Sequence, residues 1–94
     1  ANRRARGVLG IVMHEMSVAM EICRIVDEKY DRAAGTLTAV GVEIGDDAGL
    51  EPDNLEFCLE VLLSQPPFGG AKPQLDRKPG DVLRVSYLEL DDGH

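Results

Sequence analysis

The sequence predicts an α+β domain of two layers, in which two helices pack on one face of a small, about three-stranded mixed β-sheet. Two segments repeat apolar residues at helical spacing, two others alternate apolar and polar residues, and clusters of Gly and Pro separate them. A chain of 94 residues with 44% apolar residues forms one domain with a modest core. The chain has no Trp, so we expect that core to be aliphatic.

The first helix is predicted over residues 16–32, followed by Gly35 as its terminating glycine. Its apolar stripe consists of Val18, Ile22, Ile25 and Val26. The second helix begins at Glu51-Pro52-Asp53, because Pro fits the first helical turn and acidic residues complement the positive end of the helix dipole. Gln65-Pro66-Pro67 ends it.

Strands are predicted over residues 36–44 and 82–90, where apolar and polar residues alternate. Leu88 and Leu90 indicate a change of face within the second of these, through a β-bulge. A sheet of only two strands is marginally stable, so a third strand is expected. Its candidates are residues 73–77 and residues 7–12.

The net charge of −7 argues against binding to nucleic acid or to an anionic membrane surface, and it suits cations and basic partners. No apolar run approaches the length of about 18 residues that a membrane span requires. The apolar stretch Val8–Met13 is too short for a secretory signal. Cys23 and Cys58 lie in apolar periodic segments, and we expect reduced core thiols in a cytoplasmic protein.

The chemistry of the chain centres on His14, one of only two histidines. A histidine before a helix is by default a solvated or capping residue. Nickel(II), however, accepts imidazole nitrogen and square-planar nitrogen ligation. A histidine at position two of a chain offers its imidazole, its own amide and the terminal amine. Here that arrangement requires Met13 to be the first residue.

Enzymatic activity is not expected, because no Ser, Cys or Lys nucleophile has a recognisable neighbouring base. No phosphate-binding glycine motif is present either. The acidic residues Glu43, Asp46 and Asp47 leave two interpretations open, a solvated loop or a weak second cation site.

Three stretches together resemble the HypA/HybF family of hydrogenase-maturation nickel chaperones. Met13-His14-Glu15-Met16-Ser17-Val18 is similar to the family's amino-terminal Met-His-Glu-x-Ser-Leu. Val42-Glu43-Ile44-Gly45, followed by Pro52-Asp53-Asn54-Leu55-Glu56-Phe57, is similar to its Val-Glu-Ile-Gly and Pro-x-x-Leu-x-Phe. Val82-Leu83-Arg84-Val85 resembles its closing strand.

The resemblance implies a nickel metallochaperone, a binding protein that delivers Ni(2+) with a HypB-type GTPase to the large subunit of [NiFe]-hydrogenase, and in some organisms toward urease. Carried over to this sequence, His14 would supply an imidazole and an amide, Glu15 an amide, and Met13 its amino group. An alternative is a metal-free interaction module on the same scaffold, which docks a maturation GTPase or hydrogenase subunit. The sequence does not decide the oligomeric state, and a homodimer is one of the states it allows.

Two departures from the family pattern shape these expectations. The family inserts a zinc ribbon with two Cys-x-x-Cys pairs, whereas residues 64–81 contain no cysteine, so we expect no structural zinc. Arg77-Lys78-Pro79-Gly80 then closes the stem. Residues 1–12 form an extension before the nickel-binding domain of residues 13–94, and they turn the nitrogen of Met13 into a peptide amide. We expect Gly7–Val12 to add a strand to this sheet or to that of a neighbouring molecule.

Overall fold

The computed structural model describes the backbone of residues 2–93 and the side chains of residues 14–93. Its elements are α1 (Asn2–Lys29), a 3-10 turn (Arg32–Ala34), β1 (Thr36–Gly45), α2 (Pro52–Leu63), β2 (Lys72–Lys78) and β3 (Leu83–Asp91). The predicted class, two helices with a three-stranded mixed sheet, is confirmed. No helix in the described part of the chain has the length and apolar character to cross a bilayer.

The sheet of the described residues has the strand order β2-β1-β3. Its central strand runs parallel to β2 and antiparallel to β3, so Val42 lies between Leu75 on one side and Val85 on the other. The predicted short strand at residues 73–77 is therefore the third strand, and it is one residue longer at each end, from Lys72 to Lys78.

Helix α1 is much longer than predicted, because it begins at Asn2 and includes residues 7–12. The expectation that Gly7–Val12 forms an additional strand is wrong. No proline separates this segment from the amphipathic stretch that follows, and Gly7 and Gly10 only weaken a helix. At its other end α1 stops at Lys29, and the carboxylate of Asp31 accepts a hydrogen bond from Ala33 N to cap the 3-10 turn.

The core lies between the two helices and one face of the sheet, where α1 contacts β3 and α2 contacts β2. Its members are aliphatic apart from one ring and two thiols: Ala19, Ile22, Cys23, Val26, Leu37, Val40, Val42, Ile44, Leu55, Cys58, Leu59, Leu63, Phe68 and Ala71. Cys23 and Cys58 are buried free thiols, as the sequence predicted. Burial of these apolar side chains supplies the main stabilisation of the fold.

The connection between β2 and β3, residues 79–82, crosses the end of β1. Backbone N–H groups of Gly45 and Asp47 donate to Val82 O (2.6 Å) and Gly80 O (2.8 Å), which holds the crossing close to β1. A Cβ atom on Gly45 would lie 2.1 Å from Gly80 O. Glycine is therefore required at the end of β1 because another backbone passes directly over it.

The predicted change of face in β3 is confirmed, and its cause is a bulge at Ser86. Tyr87 pairs with Gly41 and Val85 pairs with Val42, so Ser86 is the extra residue. The bulge turns Tyr87 toward the open face of the sheet, where its ring covers Gly41 and its hydroxyl contacts Gln74 on β2. Val85 and Leu88 consequently both pack against the core.

Candidate metal-contact segment

His14 lies within α1 and its side chain is exposed. Because the helix begins at Asn2, the amides of His14 and Glu15 are in its interior. Interior helical N–H groups donate to the carbonyl four residues earlier. In this conformation the imidazole is accessible, whereas the two backbone nitrogens are engaged in the helix.

Glu15 is the one charged side chain buried among the described residues, with 2% of its surface exposed. Its Oε2 accepts a hydrogen bond of 3.0 Å from the backbone N–H of Glu51. Its Oε1 has no partner among the described residues. A buried carboxylate is costly unless it is hydrogen-bonded, so this single contact from α1 to the residue before α2 is structurally important.

Glu51 is the N-cap of α2, and both its backbone N–H and its carboxylate form hydrogen bonds. Its N–H donates to Glu15, and its own carboxylate accepts a hydrogen bond of 2.8 Å from Asp53 N. Pro52 follows at the first helical position. Two carboxylates therefore lie at the positive end of the α2 dipole, where negative charge is stabilised.

Cys58 follows on α2, one of the buried residues of that helix. Burial raises the pKa of the Cys58 thiol, and the negative charge of Glu15 raises it further. Burial also raises the pKa of Cys23 to about 11. Neither thiol is therefore a thiolate at neutral pH, and a thiol is a far poorer metal ligand or nucleophile than a thiolate.

The predicted ligand segment thus presents its groups in different directions. The imidazole of His14 faces solvent, the carboxylate of Glu15 faces the helix–helix interface, and the side chain of Met13 lies outside the described residues. No group of three or more His, Cys, Asp or Glu side chains among the described residues could hold a metal ion. Of the two described side chains of the segment, that of His14 is the accessible donor.

Two of the three acidic residues near the end of β1 pair with cations. Glu43 accepts from Arg84 Nε at 2.6 Å across the β1–β3 ladder. Asp46 lies 3.6 Å from Arg77 of β2. Since both carboxylates have arginine partners, the structure favours the interpretation of a charged surface over that of a second cation site.

The carboxylate of Glu15 is the functional group that the sequence prediction missed, because the resemblance implies only the backbone amide of Glu15 as a donor. The helical spacing of the residues in α1 nevertheless indicates that the Glu15 side chain is buried. Glu15 shares one face of α1 with Ala19, Ile22 and Val26, all of which are buried. An acidic residue that continues a buried apolar stripe indicates a buried hydrogen bond.

Together, the fold and this segment define a small α+β domain with an exposed histidine next to a buried helix-anchoring glutamate. The chain belongs to the HypA family, whose model, described as "Hydrogenase/urease nickel incorporation, metallochaperone, hypA", matches residues 13–83. The match begins at Met13, the first residue of the Met-His-Glu segment.

Curated relatives support the same family. The chain is 38% identical over 69 residues to the hydrogenase maturation factor HypA of Methanopyrus kandleri, covering 72% of this chain and 49% of that protein. It is also 38% identical over 69 residues to the HypA of Geobacter metallireducens, with 72% and 60% covered. The HypA of Streptomyces avermitilis is 37% identical over 71 residues, with 72% and 53% covered. The matched region thus spans between about half and three fifths of these relatives.

Proposed function

We propose that this chain is the nickel-binding part of a HypA-type metallochaperone, a binding protein and not an enzyme, that assists nickel insertion into [NiFe]-hydrogenase. The observation that carries the proposal is that the family match begins at Met13 while the next residue, His14, presents an exposed imidazole. The two buried free thiols are compatible with a cytoplasmic location.

Nickel(II) is the cargo, and its donors are nitrogen atoms of the first three residues of the segment. His14 supplies the imidazole and its amide, Glu15 supplies its amide, and Met13 supplies an amine in a chain that begins there. In the 94-residue chain the amides belong to α1. Nickel binding by that chain therefore requires the helix before His14 to open.

Glu15 has a separate role in this proposal. Its carboxylate faces Glu51 and not the imidazole side of the helix, so it anchors the segment to α2 and does not bind the metal. Opening of the helix before His14 would leave this contact intact, because the hydrogen bond involves the Glu15 side chain.

The proposed partners are a HypB-type GTPase and the hydrogenase large subunit. The net charge of −7 suits a basic surface on either of them. Zinc has no part in the proposal, because the two cysteines of these 94 residues lie in α1 and α2 and cannot supply the four thiolates of a ribbon.

Isothermal titration with Ni(II) tests the proposal on the chain that begins at Met13. His14→Ala should abolish binding, whereas His94→Ala, which removes the only other histidine of the sequence, should leave it unchanged. Equal heats from the two variants would overturn the assignment of His14.

A second candidate is a metal-free interaction module on the same scaffold. The observation in its favour is that the amides of His14 and Glu15 are part of a continuous helix and the Glu15 carboxylate is turned inward. Binding to a purified HypB-type GTPase, measured without metal, should then be equal for the unchanged chain and for His14→Ala. Loss of that binding in His14→Ala would exclude this candidate.

A further inference from the structure

The two helices expose three large apolar side chains on their outer surface. Met20 of α1 is 58% exposed, and Phe57 and Val61 of α2 are 64% and 42% exposed. Phe57 is the most exposed large apolar residue in the described part of the chain. Isolated apolar residues are common on protein surfaces, whereas a contiguous group commonly marks an interaction site. The relative positions of these three residues therefore decide whether they form one surface.

The two helices lie side by side, because α1 contacts β3, α2 contacts β2, and the helices contact each other. Strand β1 begins shortly after α1 ends, and the residue before α2, Glu51, returns to Glu15 of α1 through its N–H. Strand β1 therefore runs antiparallel to α1. Strand β2, which follows α2, begins opposite Ala39 near the start of β1. Helix α2 thus also runs antiparallel to β1, and the two helices are parallel.

Met20 and Phe57 lie at the same height on this pair of helices. The hydrogen bond between Glu15 and Glu51 fixes the level of one helix against the other. Met20 follows Glu15 by five residues and Phe57 follows Glu51 by six, which is about 8 Å and about 9 Å along the helix axes. Val61 follows Phe57 by four residues and extends the same face by one turn.

The three residues also lie on neighbouring sides of the two helices. Val18 and Ile25 of α1 face β3, where they line a groove. Met20 lies on the opposite side of α1, toward α2, because a shift of two or five residues rotates a helical side chain by about 140–160°. On α2 the buried residues face the core, and Phe57 and Val61 lie on the far side. We call Met20, Phe57 and Val61 the outer helix face.

Acidic residues flank the outer helix face on α2. Asp53, Glu56 and Glu60 follow one another at helical spacing along the side of α2 next to Phe57. The same helix contains no Lys or Arg. Within the described part of the chain, none of these three carboxylates forms a salt bridge. Their charges are therefore available to a partner.

The flank on α1 is negatively charged as well. Arg24 lies one turn after Met20, and it forms salt bridges with both Glu21 and Glu28. One positive and two negative charges give this group a net charge of −1. The outer helix face is thus apolar at its centre and acidic on both flanks.

We propose that the outer helix face binds an amphipathic helix of another protein, whose apolar stripe is flanked by Lys and Arg. Such a helix would pack its apolar side chains into the furrow between α1 and α2, and its cations would meet the carboxylates on both flanks. A second copy of this chain would bring the same acidic flanks, and an anionic membrane would repel them. None of the three apolar residues belongs to the Met-His-Glu segment, so failure of this proposal would leave the nickel role untouched.

A synthetic peptide tests the proposal by fluorescence anisotropy, with EDTA present so that nickel takes no part. The probe is a labelled peptide of about 14 residues, with Leu along one helical face, Lys on both flanks and Ala elsewhere. It should bind the 94-residue chain in about 0.15 M salt, where charges more than about 8 Å away are largely screened. A peptide of the same composition, in an order that leaves no apolar face, should bind at least about tenfold more weakly.

Two matched pairs of variants locate the binding surface. Phe57→Ala should weaken binding of the peptide by about tenfold or more. Tyr87→Ala, which removes an exposed aromatic ring from the open face of the sheet, should leave binding unchanged. Glu60→Lys should weaken binding by about fivefold. Glu89→Lys makes the same charge change on exposed β3 and should have little effect.

Four outcomes would overturn the proposal: no binding of the amphipathic peptide, equal binding of a peptide with Glu in place of every Lys, or equal effects within either pair of variants. Dimerisation of the unchanged chain in sedimentation equilibrium, lost in Phe57→Ala, would also overturn it and assign the face to a second copy. If Tyr87→Ala does not fold, the comparison of Glu60→Lys with Glu89→Lys still decides.

Discussion

The carboxylate of Glu15 on α1 accepts a hydrogen bond of 3.0 Å from the backbone N–H of Glu51, the residue that caps α2. This contact joins the Met-His-Glu segment to the second helix. The Glu15 carboxylate therefore has a structural role. The proposed ligand atoms are instead backbone and imidazole nitrogens.

Glu15→Ala should lower the free energy of unfolding by about 1–3 kcal/mol, because the part-buried N–H of Glu51 loses its acceptor. Glu15→Gln keeps an acceptor oxygen at the same place and should change stability by less than about 1 kcal/mol. Urea unfolding followed by circular dichroism measures both values. Equal midpoints for the Ala variant and the unchanged chain would show that the contact contributes nothing.

Glu15→Gln should also retain nickel binding in the chain that begins at Met13, because the carboxylate is turned away from the imidazole. A titration in which the Gln variant loses nickel while remaining folded would make the carboxylate a ligand and would revise its assigned role.

Gly45→Ala should be much more destabilising than Gly41→Ala, although both glycines lie in β1. The new Cβ at Gly45 would meet the backbone carbonyl of Gly80 at 2.1 Å, and that backbone is held by two hydrogen bonds. At Gly41 the obstacle is the ring of Tyr87, which can rotate away. We expect losses of about 3 and about 1 kcal/mol. Thermal or urea unfolding ranks the two variants, and the reverse order would contradict the close crossing.

Tyr30→Phe should lower stability by about 1–2 kcal/mol. The Tyr30 hydroxyl donates to Gly35 O at 3.0 Å and accepts from Leu37 N at 3.1 Å, so it joins the end of α1 to the start of β1. Tyr87→Phe is the matched control, because among the described side chains that hydroxyl bonds to the exposed Gln74 side chain, and its loss should cost about 0.5 kcal/mol or less. Similar losses for both variants in urea unfolding would argue against the bridging role of Tyr30.

The two thiols should make the unfolding free energy fall as the pH rises through the alkaline range. Burial raises the pKa of Cys23 from 9.0 to about 11, so the folded state binds the proton more tightly than the unfolded state. The corresponding stabilisation is complete below pH 9 and is lost as the pH rises toward 11. Cys58 shifts in the same direction.

Urea unfolding at several pH values between about 8 and 10.5 measures this effect, with Cys23→Ala as the comparison, so that the titration of other groups cancels. The difference in stability between the unchanged chain and the variant should shrink as the pH rises. A difference that is constant with pH would contradict the raised pKa.

The elements that the sequence predicted correctly are those in which apolar residues follow one clear spacing, either helical or alternating. The alternation in residues 36–44 and the Pro-marked start of α2 placed β1 and the beginning of that helix within one residue of their observed bounds. The length of β2 and the extension of α1 were not predicted. Strand β2 gains its outer residues from pairing with β1, a tertiary effect, and residues 7–12 carry a composition that fits a strand or a helix equally.

The candidate site was predicted only in part for a similar reason. His14 and its exposure follow from the segment itself, but the inward direction of Glu15 depends on where α2 begins relative to α1. Likewise the bulge was anticipated from Leu88 and Leu90, whereas its position at Ser86 depends on the register with β1. Contacts and register between elements that are distant in sequence could not be predicted from the sequence and are seen only in the structure.

The central claim, a nitrogen-donor nickel site at Met13-His14-Glu15, is tested most directly by comparing two forms of the chain that begins at Met13, one with a free amine and one with that amine acetylated. Nickel(II) titration followed by the visible d–d absorption of square-planar nickel reports both affinity and geometry. The free amine form should bind one nickel per chain with this band, and the acetylated form should bind more than about tenfold more weakly without it. Equal affinity and equal spectra for the two forms would contradict the claim.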